Sequence, residues 1–231
     1  MSTSVNDRDS LARLEKAVGT VRERIAAAAE RSGRDASAVR LVAATKEVPP
    51  KVIRMAARVG VQEFGENYVQ ELETKRPAVP DARWHFLGRL QRNKVRRVLE
   101  SADVIQTLEP GRSAEHLLEL AVARTPAPGC LIEVDFTGER VGVAPEGLPD
   151  FADVVVASGG RLLGLMTVAP AGSDPRPWFA RLRELGDDVQ KRYPDATELS
   201  MGMSTDLEVA VEEGATMVRV GTAIFGPRAR R

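Results

Sequence analysis

Residues 40–46 read Arg40-Leu41-Val42-Ala43-Ala44-Thr45-Lys46, a short apolar run closed by a hydroxyl and an amine. Helical spacing follows from near Pro49, and a second short run appears at Glu63–Gly65. The pattern then repeats through Trp84–Gly88, Val104–Leu108, Cys130–Asp135, Leu162–Val168, Glu198–Met201 and Met217–Val220, with helical stretches starting near Asn67, Asn93, Gly111, Gly147, Pro175 and Thr205. Short Val-, Ile- and Leu-rich runs alternating with helical segments mark βα units around a parallel sheet. Eight of them predict a closed (β/α)8 barrel, with an open doubly wound sheet as the alternative. Ahead of the barrel, Leu11, Leu14, Val18, Val21 and Ile25 recur every three or four residues, so one long amphipathic helix, capped by Ser10 and Gly33, should lie on the outside. The Pro- and Gly-rich stretches Thr125–Gly129 and Ala169–Pro177 are short enough to be loops. A single domain over residues 1–231 is expected, with about residues 1–9 as an unstructured tail.

Composition narrows the functional classes. The chain has 231 residues with 33 Lys+Arg against 33 Asp+Glu. That balance argues against wrapping nucleic acid or lying on an anionic membrane, since both need a surplus of positive charge. Hydrophobic residues at 43% with aromatics at 4% give a core made mostly of Val, Leu and Ala. One cysteine, Cys130, permits no intramolecular disulfide, and His85 and His116 stand apart from any Cys/His cluster, which argues against a structural zinc. The N-terminal stretch is polar and no run reaches the roughly 18–20 apolar residues of a membrane span, so a soluble cytoplasmic protein is expected. Only six of the 33 basic residues are lysines. Five fall on predicted helices or helix ends, where arginine would serve as well. Lys46 alone closes a strand.

In a barrel of this kind the chemistry sits at the C-terminal ends of the strands. Lys46 is there beside apolar walls, and desolvation exposes a neutral amine able to attack a carbonyl. The competing reading is a loop lysine reaching for water. Ser200-Met201-Gly202-Met203-Ser204-Thr205 precedes a helix, with Thr205 and Glu208 at capping-box spacing, and its N–H groups and hydroxyls suit an anion. Gly221 and Thr222 follow the last strand, where phosphate sites recur in this fold. Arg219 on that strand faces either a heteroaromatic nitrogen, which its charge would keep unprotonated, or an acidic partner. His85 alternates with Trp84 and Phe86, so it should face the barrel interior as a hydrogen-bonded core histidine. Met166 either fills the core or packs on a ligand ring. The basic residues Arg89, Arg92, Lys94, Arg96 and Arg97 lack interleaved aromatics and read as a solvated or anion-facing helix start.

The segments Phe64-Gly65-Glu66-Asn67-Tyr68, Trp84-His85-Phe86-Leu87-Gly88 with Leu90-Gln91 and Asn93-Lys94, Gly164-Leu165-Met166, Leu199 to Ser204 and Val218 to Gly226 together resemble the pyridoxal phosphate homeostasis protein family. The motifs run in order from Lys46 to the C-terminus. The resemblance implies a single barrel similar to the N-terminal domain of alanine racemase, holding pyridoxal 5′-phosphate, the active form of vitamin B6. It makes Lys46 the Schiff-base lysine and Arg219 the residue facing the pyridine nitrogen. Ser200, Ser204, Gly221 and Thr222 match phosphate-binding positions, and Asn67 and Met166 match residues near the ring. Two positions depart from the family: Thr45 stands where Ser is usual, and Arg140 stands where a lysine is common after the fifth strand. An arginine forms no Schiff base at neutral pH.

The resemblance implies a carrier that binds the cofactor and passes it to apo-enzymes, as a monomer without nucleic-acid or membrane partners. The alternative is an amino-acid racemase. That chemistry needs an acid/base on each face of the ring, supplied in alanine racemase partly by a tyrosine and a second domain. Tyr68 and Tyr193 are the two tyrosines here, and the chain stops soon after its last strand. A phosphosugar-binding barrel enzyme is a more distant reading, one that leaves Lys46 without a cofactor.

Overall fold

Each apolar run forms a strand because branched side chains pack well on a sheet that is covered on both faces. The computed structural model describes residues 5–124 and 126–227. Its strands are β1 (Arg40–Ala44), β2 (Glu63–Glu66), β3 (Arg83–Phe86), β4 (Val104–Leu108), β5 (Gly129–Glu133), β6 (Arg161–Met166), β7 (Glu198–Ser200) and β8 (Met217–Val220). They pair in sequence order, all parallel, and β1 closes on β8 with Arg40 opposite Met217 and Ala43 opposite Val220. The (β/α)8 barrel is therefore formed, and the open sheet is excluded. The outer helices are α1 (Val5–Arg31), α2 (Pro50–Arg58), α3 (Val69–Lys75), α4 (Val95–Ser101), α5 (Arg112–Ala121), α6 (Leu148–Ala157), α7 (Arg176–Arg192), α8 (Leu207–Glu212) and the short α9 (Thr222–Phe225).

Two helix starts differ from expectation for local reasons. Helix α1 begins at Val5, so Ser10 lies inside it and caps nothing. Asp7 stands in the first turn, where the helix dipole favours an acid, and its carboxylate pairs with Lys51 of α2 at 2.5 Å. Of the tail expected over residues 1–9, residues 5–9 are thus helical and residues 1–4 lie outside the described residues. The C-terminal end behaves as expected, with Gly33 at φ 67° and Arg34 N–H bonded to Ala29 O at 2.8 Å. The capping box at Thr205 does not form. Helix α8 starts at Leu207, and Glu208 turns instead to Arg24 of α1 in a two-pronged pair at 2.6 and 2.8 Å.

Strand alternation sorts the core into two. Outward-facing residues such as Phe64 and Trp84, stacked with centroids 5.2 Å apart, pack beneath the helices. Inward-facing Val42, Val104, Leu131, Leu163, Met166 and Met217 fill the barrel. Leu163 and Met166 share the inner face although they are three residues apart, which a regular strand forbids. Gly164 resolves this: the register slips between Cys130 and Leu131, and Gly164 takes φ +147°. A Cβ there would lie 2.0 Å from Glu198 O. Gly164→Ala should therefore cost about 2–4 kcal/mol in urea unfolding, well beyond an ordinary Gly-to-Ala change, because both backbone angle and space are lost.

Candidate functional site

The loop after β1 carries Lys46, half-buried at the C-terminal mouth of the barrel. Its ammonium lies over the Tyr68 ring at 5.3 Å from the centroid, so an aromatic face rather than aliphatic wall alone receives it. Barrel closure sets the other side. Gly221, just past β8, comes so near β1 that a Cβ would sit 3.0 Å from Ala44 O. Lys46, Val48, Pro49, Gly221, Thr222 and Phe225 line one cavity of about 380 Å³, within the range of small-molecule sites, roughly 300–1,000 Å³. Ser204 joins it from the β7–α8 loop, its hydroxyl accepting from Ala223 N–H at 3.3 Å. Arg24 of α1 steadies that loop through Ser204 O at 3.0 Å.

The remaining expected residues separate from this cluster. Ser200 is fully buried inside the barrel, its hydroxyl donating to Gln106 Oε1 and accepting from Arg219, each at 2.7 Å. Asn67 is exposed on the rim. Met166 is buried in the interior cluster opposite Glu133 of β5. Arg140 is half-exposed and reaches Glu133 at 3.5 Å. The basic stretch is solvated, with Arg89 paired to Glu109 at 3.3 Å and Arg97 to Glu73 at 2.7 Å.

A chain of hydrogen bonds crosses the barrel and ends on Arg219. Burial pushes the His85 imidazole down against the pull of Glu63, so at neutral pH it is uncharged. Its Nε2–H then donates to Glu63 Oε2 at 2.8 Å, and Nδ1 accepts from Gln106 Nε2 at 2.8 Å. Gln106 Oε1 takes the Ser200 hydroxyl, whose oxygen takes Arg219, and Arg219 also donates to Thr167 O at 2.9 Å. The partners leave one consistent tautomer and amide orientation. Burial would raise the Glu63 carboxyl, but the bond from His85 and the charges of Arg40 and Arg83 hold it below its ordinary value. Burial lowers the Arg219 guanidinium to about 10 against the attraction of Glu133 and Asp206, so it is still a cation at neutral pH. Burial raises the Glu133 carboxyl despite Arg140 and Arg219. The direct acidic partner considered for Arg219 is thus replaced by a hydroxyl and a carbonyl.

Gln106, Glu133 and Lys75 did not stand out in the sequence. Alternation from Val104 would have placed Gln106 inside, and alternation from Leu131 would have placed Glu133 inside. Cys130 is buried, its thiol pushed up to about 12, and adds no nucleophile. Among the described residues no group of three His, Cys, Asp or Glu is arranged to hold a metal ion, and no helix is long and apolar enough to cross a membrane.

This barrel, with a lysine and a hydroxyl-lined turn at its mouth, matches the family described as alanine racemase, N-terminal domain, over residues 17–229. The pyridoxal phosphate homeostasis protein of Aquifex aeolicus is 43% identical over 217 residues, covering 90% of this chain and 95% of that one. Among solved structures, an unknown protein from Bifidobacterium adolescentis superposes with a TM-score of 0.89 at 34% identity, covering 96% and 98% of the two chains. PipY of Synechococcus elongatus, solved with PLP bound, gives 0.75 at 36% identity, covering 89% and 100%. The chain belongs to the pyridoxal phosphate homeostasis protein family.

Replacing Gln106 by Leu strands His85 Nδ1 and the Ser200 hydroxyl. Gln106→Leu should lower unfolding free energy by about 1–3 kcal/mol in denaturant titration despite adding apolar volume.

Proposed function

We propose that this protein binds pyridoxal 5′-phosphate through a Schiff base at Lys46 Nζ and acts in the cytoplasm as a carrier that buffers the cofactor and delivers it to apo-enzymes. The observation that carries the reading is the shared cavity: a primary amine and the Gly221–Thr222 turn line one space. The residues present fit the group. When bound, pyridoxal phosphate supplies an aldehyde that condenses reversibly with an uncharged amine and releases water. Lys46 would supply the nitrogen. Thr222, the backbone at Gly221 and the Ser204 hydroxyl would hold the phosphate. Arg219, a buried cation anchored on Ser200 and Thr167, would keep the ring nitrogen unprotonated, with Met166 and Asn67 beside the ring. The relatives' names and the PLP-bound PipY structure support the same ligand.

Two placements favour a carrier over a racemase. Tyr193 lines the cavity at the opposite, strand-start end of the barrel and hydrogen-bonds Asp153, away from Lys46. Tyr68 is already in contact with the Lys46 ammonium. Neither tyrosine stands as a second acid/base across a ligand from Lys46.

Purified protein incubated with pyridoxal phosphate should keep a yellow absorption band through dialysis, and Lys46→Ala should lose it; a colourless wild type that takes up no cofactor overturns the reading. Incubation with L- or D-alanine should give no steady racemisation. Turnover at ordinary enzyme rates, about 1–1,000 per second, would make the protein a racemase.

A further inference from the structure

Lys75 is the lysine whose position the composition least explains. It sits at the C-terminal end of α3 with its side chain 6% exposed, and its Nζ has three acceptors: Thr45 O at 2.6 Å, Glu66 Oε1 at 2.6 Å and Glu71 Oε2. A buried ammonium is tolerated only when it is paired and hydrogen-bonded. Three convergent acceptors match the three N–H donors of an ammonium, a geometry that the planar guanidinium fork of arginine does not reproduce. In a chain that otherwise prefers arginine, this position demands lysine for shape, just as Lys46 demands it for reactivity.

The acceptors are the backbone and supports of the loop that carries Lys46. Thr45 O takes Lys75, while the Thr45 hydroxyl donates to Glu66. On the far side of Lys46, Glu47 N–H donates to Glu71 Oε2 at 2.9 Å. Glu47 has φ 65°, the left-handed region that non-glycine residues rarely enter, so the turn holds it there against its own preference. Val48 N–H returns to Thr45 O at 2.9 Å and tightens the turn. Residues 45 and 47 are thus fixed from one point, leaving the side chain between them as the free element.

We propose that Lys75, acting with Glu66 and Glu71, is a positioning residue for Lys46, locking the backbone on both sides of the amine and setting the charge that amine faces. This rests on the reading of Lys46 as the reactive lysine. One ammonium faces two carboxylates, and Glu66 Oε2 is buried without a hydrogen-bond partner. Burial accordingly raises the Glu66 carboxyl, while Glu71, also pushed up by burial, is brought below its ordinary value by Lys75, by Glu47 N–H and by the charge of Lys46. The charged groups around Lys46 are Glu71 and Lys75 from α3 and Glu47 from its own loop; the β8–α9 side presents Gly221, Thr222 and Phe225, none of them charged.

The test uses acetaldehyde with cyanoborohydride, a probe with neither ring nor phosphate, on the full chain. Labelling of each lysine is read by peptide mass mapping across pH, with exposed Lys51 as internal reference. Removing the Lys75 cation leaves the Glu71 carboxylate, which already feels the Lys46 charge, without its other cationic partner, and this favours the protonated amine. Lys75→Met should shift the Lys46 labelling curve to higher pH and slow labelling near neutrality about three- to tenfold. Glu71→Gln should shift it the opposite way. Folded variants that leave Lys46 unmoved relative to Lys51, or that move it in one common direction, overturn the proposal. If Lys75→Met fails to fold, Glu71→Gln decides alone, and an unmoved curve overturns it. Because acetaldehyde carries no cofactor features, the labelling reports on Lys75 even in a protein that never binds pyridoxal phosphate.

Discussion

The close approach of the first and last strands organises the site. Lys46 follows β1 and the Gly221–Thr222 turn follows β8, so they are separated by most of the chain and meet only because the barrel closes. The closure is tight enough that a Cβ at Gly221 would meet Ala44 O at 3.0 Å. Everything else around the mouth adjusts to that seam. Helix α1 packs outside it, and Arg24 ties the β7–α8 loop and Glu208 into the same corner.

Inside the barrel the apolar filling is crossed by a polar line from Glu63 to Arg219. Such a line is costly if any member is left unpaired, and here each donor meets an acceptor. Its direction is dictated by a neutral imidazole at one end and a guanidinium at the other. Ser200 belongs to this line, and its hydroxyl orients Arg219.

Much of this was legible in the residues. The alternation of short apolar runs with helical spacing gives all eight strands, because a buried parallel sheet leaves that mark whatever its neighbours are. Lys46, Gly221 and Thr222 were readable because they sit just past strand ends, and position along a barrel strand is already position in space. The inward turn of the Ser200 side chain follows from alternation with Leu199, which its loop-like neighbours conceal. The Thr205–Glu208 spacing was ambiguous: a cap and an interhelical ion pair draw on the same glutamate, and Arg24 is remote in sequence. Lys75 was only partly visible: Glu71 stands at i,i+4 to it on α3, but Thr45 and Glu66 arrive from the β1 loop and β2, and no spacing records that convergence.

The seam between β1 and β8 also orders events in time. A chain emerging from the ribosome completes β1 and its lysine early, but the far wall of the cavity beside Lys46 arrives only with residues 217–225. Contacts of such long sequence separation form late, after their loop-closure cost has been met. Until then Lys46 is an ordinary tethered amine with no cavity around it. The cavity beside Lys46 and the finished barrel therefore form together, and a chain halted before β8 lacks that cavity.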